Sequence, residues 1–401
     1  MITGRALLVY DSNGYFFLRY FVFCTCFTGQ SANASAQLEA LWYKSSPKYD
    51  FRELPPAYLD KFIAEQLQPD EAFNDLVSEA LHNLYLYLQV NMRPPTVKWL
   101  IKGGSMGKGT ALKGRSDLDC ILVMNGVRDA RGLKANMFEI LDQLKELLNT
   151  DPLRKSGWGI KIIRDNIFMV QIEMQNFERN ESVEVDILPT FHAAVQDGYS
   201  RRQLYNSMAE YDWYAQALCS AALAELQRDF IKQVPPKLKS LIRLVKHWGK
   251  TYLPREYGQP RMPNSYLLEL LTIDVWEKAG SPACFVTAVL FKDVMEALYN
   301  HKHLFVKWDT YYSSSWSQYA KYLIHQYVMH WPQIMDPANP YNNVYEVVGD
   351  WKRVKKIAKE TLKKPLLKNY SSSVLVAEKR RTAIYILFVF FSFLFFVFFV
   401  F

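Results

Sequence analysis

The chain has little from which a covalent or metal scaffold could be built. Its five cysteines, Cys24, Cys26, Cys120, Cys219 and Cys284, form an odd set in which only the first two are close together. They give neither a disulfide framework nor a C-x-x-C zinc pair, and a reducing compartment is the simpler setting. No internal repeat is visible, which excludes stacked-repeat architectures. Acids are in deficit: Asp and Glu number 40 against 48 Lys and Arg, a formal net charge of +8. That balance leans toward polyanionic partners, because Lys and Arg gain by displacing counterions from phosphates. The one glycine-dense loop is not a Walker A motif. The position six before Lys108 is Lys102 rather than Gly, and Gly109 stands where a metal-binding Ser or Thr would be.

With 401 residues, half of them hydrophobic, the chain can bury a large core or two packed lobes. Residues 1–44 read as a leader, disordered or non-native; Tyr15 to Phe27 is apolar but interrupted by Arg19, and the following Ala-Ser-Ala faintly resembles a signal cleavage site. Residues 45–205 read as a sheet lobe with N-terminal helices, 206–367 as a helical lobe and 368–382 as a basic linker. Residues 383–401 are almost unbroken apolar sequence behind Lys379-Arg380-Arg381. As a helix they would rise about 28 Å, one hydrocarbon thickness. They read as a tail anchor fixing a cytoplasm-facing domain to a membrane, the alternative being a non-native extension.

Periodicity predicts two helical units from Tyr58 to about Val90, split around Gln68-Pro69-Asp70. Strands are predicted at Val97–Ile101, Leu118–Met124, Ile160–Ile163, Ile167–Met174 and Val183–Leu188, with a helix over Gly132–Thr150. From about Asn206 to Leu362 the chain reads as mainly helical, broken at Pro235-Pro236, Pro254 to Pro263 and Pro332 to Asn343. The expected class is α+β, a sheet lobe followed by a helical lobe.

Lys102-Gly103-Gly104-Ser105-Met106-Gly107-Lys108 leaves the first of these strands. Glycines there let backbone N–H groups approach phosphate oxygens, and Ser105 and Lys108 add a hydroxyl and a cation. Asp117 and Asp119 open the next strand two residues apart, so both carboxylates fall on one face. Paired carboxylates repel unless a cation sits between them, the arrangement that binds Mg²⁺. Asp186 lies on the polar face of a later strand and completes a triad if the strands are neighbours, enough for two metal ions. Glu184 shares its face and reads as a hydrogen-bonding partner. In Pro236 to Tyr252, Leu238, Leu241, Ile242, Val245 and Trp248 form an apolar stripe, with Lys239, Arg243, Lys246 and Lys250 as a basic row opposite. Such a single-sign row self-repels, which suggests phosphate as its counter-charge.

Together, Gly-Gly-Ser-x-Gly-Lys-Gly-Thr at Gly103–Thr110, Gly-Arg-Ser-Asp-x-Asp at Gly114–Asp119, Val-Glu-x-Asp-x-Leu-Pro at Val183–Pro189 and the run from Leu226 to Trp248 resemble the 2′-5′-oligoadenylate synthetases, in order and spacing, over roughly Tyr58 to Leu362. The resemblance implies a polymerase-β-like nucleotidyltransferase fold and double-stranded-RNA-activated synthesis of 2′-5′-linked oligoadenylates from ATP, in innate antiviral defence. It implies that Asp117, Asp119 and Asp186 are catalytic and hold two Mg²⁺. Gly104, Ser105, Lys108, Arg243, Lys246, Ser265 and Tyr266 would contact ATP, with Tyr266 stacking on a base. Ser265 departs from the family pattern, which usually has Gln there. Lys61, Lys98, Lys102, Arg228, Lys232, Lys237 and Lys239 would line the RNA face, contacting backbone across the minor groove of A-form RNA. The rival readings are a cyclic-dinucleotide synthase of the same fold, whose vertebrate DNA-sensing member carries a His-Cys-Cys-Cys zinc insert absent here, and an inactive RNA-binding relative, which would be expected to have lost acids that this chain keeps.

Overall fold

A computed structural model of the chain describes residues 5–10, 16–21, 50–114, 118–256, 258–313 and 332–368. Its residues fall into two units, Met1–Glu53 and the part from Leu54 on. In the first, where no order was expected, β1 (Arg5–Tyr10) and β2 (Phe16–Phe21) pair antiparallel from Arg5↔Phe21 to Tyr10↔Phe16. Both segments are rich in the aromatic and aliphatic residues that favour extended backbone. The rest of the leader, Asp117 and the apolar tail 383–401 lie outside the described residues. Among the described residues no helix is long and apolar enough to cross a membrane.

The second unit is built on a five-stranded mixed sheet in the order β3-β4-β7-β6-β5. Its strands are β3 (Val97–Lys102), β4 (Leu118–Met124), β5 (Trp158–Asp165), β6 (Val170–Asn176) and β7 (Glu181–Thr190). β4 and β7 run parallel at the centre, and every other pair is antiparallel. Alternation sorts the two faces. Leu118, Cys120 and Leu122 of β4, Val183, Val185 and Ile187 of β7, and Val170, Ile172 and Met174 of β6 all enter the main core. Against them pack α2 (Glu71–Asn91), through Leu76, Ala80 and Leu84, and α4 (Ala130–Leu148), through Leu133, Met137, Ile140 and Leu144. Both helices start at an aspartate, Asp70 accepting from Phe73 N at 2.9 Å and Asp129 from Gly132 N at 2.7 Å, which satisfies otherwise orphaned donors. A short preceding helix, α1 (Leu59–Phe62), runs into a π-helical turn at Ile63–Leu67.

The helical part begins earlier than the expected Asn206, with α5 (Gly198–Met208), followed by α6 (Trp213–Ala222) and α7 (Ala224–Lys232). Asp197 caps α5 through Ser200 N at 2.8 Å, a local start signal that the apolar period does not carry. α8 (Pro236–Tyr252) opens with proline at its first turn, where no N–H is needed. Its five stripe residues are all fully buried. α9 (Ser265–Lys278), α10 (Thr287–Tyr299) and α11 (Trp351–Leu362) extend the bundle, and a short helical turn at Pro365–Lys368 follows. The breaks expected around 235, 254–263 and 332–343 are all present.

One position fixes how the loop leaves the sheet. The glycine loop closes into a single turn, α3 (Gly104–Lys108), and a Cβ on Gly107 would lie 2.2 Å from the backbone oxygen of Lys102. Gly107→Ala must therefore push α3 off the end of β3. It is expected to cost about 2–4 kcal/mol in a denaturant titration, whereas Gly126→Ala, whose Cβ would meet nothing within 4 Å, should cost about 1 kcal/mol through its positive φ alone.

Candidate functional site

The strands that carry Asp119 and Asp186 are neighbours, the condition on which the expected triad depended. Asp119 on β4 pairs in register with Asp186 on β7, so the two acids stand side by side on the face of the sheet away from the main core, on strands about 4.8 Å apart. Both are half-buried. Gly103 N donates to Asp119 O at 2.8 Å, tying the start of the glycine loop to the acid strand. Among the described residues no group of three or more His, Cys, Asp or Glu is placed to hold a metal ion.

Beside the acids, a buried carboxylate gathers the cations. Glu269 on α9 is fully buried and accepts from Lys108 Nζ at 2.9 Å, Lys246 Nζ at 3.2 Å and Thr110 Oγ1 at 2.6 Å. Burial alone would raise its pKa, but Lys108 and Lys246, helped by Thr110, outweigh that and hold it at about 2. Lys108 also lies 4.3 Å from the ring centre of Tyr266, a cation–π contact. The Tyr266 hydroxyl donates to Asp336 Oδ1 at 2.9 Å, and burial together with that carboxylate pushes its pKa far up. Asp336 also accepts from Gln227 Nε2 at 2.7 Å, Asn342 Nδ2 at 3.1 Å and Ala338 N at 2.9 Å. Burial nevertheless raises its pKa above the usual carboxylate value.

The basic row of α8 does not simply face solvent. Arg243 donates to Ala111 O at 3.0 Å and Gly109 O at 2.8 Å, and Lys246 to Thr110 O at 3.0 Å, so three successive carbonyls after α3 are held by two cations. Lys246 is only 1% exposed, and burial lowers the pKa of Arg243. The counter-charge of this row is thus partly internal. Lys246 and Ser265 line a cavity of about 280 Å³ together with Lys250, Arg255 and Asn264. Ser105 is 5% exposed, at the start of α3. The structure therefore brings Gly104, Ser105, Lys108, Arg243, Lys246 and Tyr266 together at the glycine loop, and places Ser265 in the cavity that Lys246 also lines.

The seven basic residues of the expected RNA face are more loosely placed. Lys61, Lys98 and Lys232 are exposed. Lys237 pairs with Asp60 at 2.7 Å, joining the start of α8 to the helix that carries Lys61. Lys239 donates to Lys232 O at 2.6 Å. Arg228 bonds Asp229 at 2.8 Å, and its Cδ lies 3.4 Å from where a Cβ on Gly107 would be, beside the Lys102 backbone. Burial lowers the pKa of Lys102, whose Nζ reaches Ser78 Oγ at 3.4 Å. Lys98 sits 4.6 Å over the ring of Trp99 on the outer strand β3.

Comparison with known proteins decides the family. A family model described as 2′-5′-oligoadenylate synthetase 1, domain 2, C-terminus matches residues 199–380. The chain is 34% identical over 316 residues to 2′-5′-oligoadenylate synthase 1A of Mus musculus, covering 74% of this chain and 84% of that protein. It is 31% identical over 350 residues to 2′-5′-oligoadenylate synthase 1A of Rattus norvegicus, covering 81% and 94%. The chain belongs to the 2′-5′-oligoadenylate synthase family. It is a nucleotidyltransferase with a polymerase-β-like fold. Among solved structures, mtPAP in complex with GTP superposes with a TM-score of 0.51 at 10% identity, covering 90% of this chain and 77% of that one, a likeness of fold alone.

Sequence reasoning missed Glu269, Thr110 and Asp336. Glu269 had a readable signal: it interrupts Leu267-Leu268 and Leu270-Leu271 in a helix buried nearly all round, where an acid must be paired. Asp336, in a proline-rich loop, had none. Glu269→Gln leaves Lys108 and Lys246 without their carboxylate and is expected to cost about 3 kcal/mol at neutral pH in a denaturant titration. The depressed pKa sets the sign: the stabilisation is present above the ordinary value of 4.5 and is lost as pH falls toward about 2. The gap between wild type and variant should narrow across that window.

Proposed function

We propose that this chain joins ATP units into 2′-5′-linked oligoadenylates, releasing pyrophosphate, when activated by double-stranded RNA, and that it serves innate antiviral signalling in the cytoplasm. The observation that carries the reading is the register pair Asp119–Asp186 standing one strand from a glycine loop whose cations converge on Glu269. The free thiols of Cys120, Cys219 and Cys284 suit a reducing compartment. In the reaction a ribose 2′-oxygen forms a bond to the α-phosphorus of ATP while the bond from that phosphorus to the pyrophosphate oxygen breaks.

Asp119 and Asp186 offer hard oxygen donors on one face, a set that fits Mg²⁺, and Asp117 would be the third ligand. Two bound ions would supply charge neutralisation of the triphosphate and a lowered pKa for the attacking hydroxyl. Lys108, Lys246 and Arg243 against the single carboxylate of Glu269 leave a net of two positive charges around the loop, which favours a triphosphate there. We assign Gly104 and Ser105 to its phosphates, and Ser265 and Tyr266 to the nucleoside. Lys61, Lys98, Lys102, Arg228, Lys232, Lys237 and Lys239 are assigned to the RNA backbone. Arg228 touches the loop from the outside at Gly107, so RNA on that face would press on the turn that presents Ser105 and Lys108.

Two measurements test this reading. Asp119→Ala should lower nucleotide transfer at least 100-fold while RNA binding stays within a few-fold; transfer above a tenth of the wild-type rate would overturn the acid assignment. The double replacement Arg228→Glu and Lys232→Glu should raise the RNA concentration needed for activation and flatten its dependence on salt, since fewer counterions are released. Products are checked with nucleases that distinguish 2′-5′ from 3′-5′ linkages.

A further inference from the structure

The row of side chains that contains the acids does not end at Asp186. The strand register continues it: Asp186 on β7 pairs with Gln171 on β6, and Gln171 pairs with Arg164 on β5. Asp119, Asp186, Gln171 and Arg164 therefore form one line across four strands, on the face opposite the main core. A second line runs beside it, Glu184, Glu173 and Lys161, by the pairs Glu173↔Glu184 and Lys161↔Glu173.

The two halves of this face differ. Over β3 and β4 it is covered where Ile101, Ile121 and Val123 bury against Trp99, Leu188 and Ala224 of α7. Over β5, β6 and the first half of β7 it is open: Arg164, Lys161 and Glu184 are exposed, and Gln171 and Glu173 half-buried. The side chains of Arg164, Lys161, Gln171 and Glu173 make no hydrogen bond or ion pair with another described residue. This is unlike the donor-side cations, which are all held by Glu269 or by loop carbonyls.

From this geometry we infer that Gln171 and Arg164 bind the acceptor, the oligonucleotide whose 2′-hydroxyl attacks, and so govern elongation beyond the dimer. The inference rests on the proposed reaction. The groups assigned to the ATP triphosphate all lie on the β4 side of the acids, around α3, α8 and α9. The attacking hydroxyl must then approach from the β7 side, past Asp186. An acceptor carrying a 5′-triphosphate is repelled by Asp186, Glu184 and Glu173, and its phosphates need a cation beyond those acids. Arg164 stands two strand spacings from Asp186, about 10 Å, a span that a nucleotide bridges. Its planar fork suits a phosphate. Gln171, between them, presents both an amide donor and a carbonyl acceptor to the sugar or base. Lys161 reinforces the positive edge one row away.

The test uses the full chain, activating RNA, ATP as donor and a preformed 2′-5′-linked adenylate dimer with a 5′-triphosphate as acceptor. Arg164→Ala should raise the KM for the dimer about tenfold, leave the KM for ATP at saturating dimer within twofold, leave kcat nearly unchanged, and shift products toward dimers. Gln171→Ala should act in the same direction, more weakly, and Arg164→Lys should restore part of the dimer affinity. Both positions are accessible, and a thermal melt confirms that the variants fold. Dimer KM unchanged in both variants, or ATP KM rising equally, would overturn the inference. Absence of any 2′-5′ product from the wild type would instead reject the reaction itself. Direct binding of the dimer to wild type and Arg164→Ala then still decides: equal binding overturns the assignment of Arg164, and a tenfold loss upholds it.

Discussion

Everything around the glycine loop depends on one buried carboxylate. Glu269 is fully enclosed, and without two ammonium groups and a hydroxyl it could not remain charged. Its three donors come from different places: Lys108 ends α3, Thr110 follows it, and Lys246 lies midway along α8. A buried ion pair contributes little net stability when compared with an apolar replacement, but removing one partner is expensive. The value of this one is placement. It fixes the loop that follows β3 against two helices that begin more than a hundred residues later, and the carbonyls of Gly109, Thr110 and Ala111 finish the joint through Arg243 and Lys246.

The sheet contributes the second constraint. Because β4 and β7 are parallel neighbours, carboxylates 67 positions apart in sequence come into register without any special loop. A slip of one residue would turn Asp186 into the core and bring Val185 or Ile187 out. The core face prevents this, since Val183, Val185 and Ile187 are all completely buried. Packing on one side of the sheet thus secures chemistry on the other.

Much of this was legible in advance, for identifiable reasons. The five strands and α8 announce themselves by period, and Pro235-Pro236 marks the helix break to within a residue or two. The acids stand out because two of them alternate at the start of an apolar strand. What could not be read is what only the third dimension supplies. The basic row of α8 suggested an external phosphate partner, yet Lys246 is buried on a carboxylate of α9, since sequence shows the charge of a helix face but not what is packed against it. The start of α5 at Gly198 was missed because its signal is the Asp197 cap and not hydrophobicity. Gln171 and Arg164 carry no motif, and only strand register aligns them with the acids.

The carboxylate of Asp336 has a mechanical meaning. It is gripped at once by Tyr266 of α9, Gln227 of α7 and the backbone of its own loop. Gln227 precedes Arg228, and Tyr266 lies under Lys108. A tilt of α7 therefore cannot proceed alone: it either breaks a bond to a buried acid or drags the tyrosine with it. The joint works as a pin through two levers, with one lever reaching the basic outer surface and the other the glycine loop.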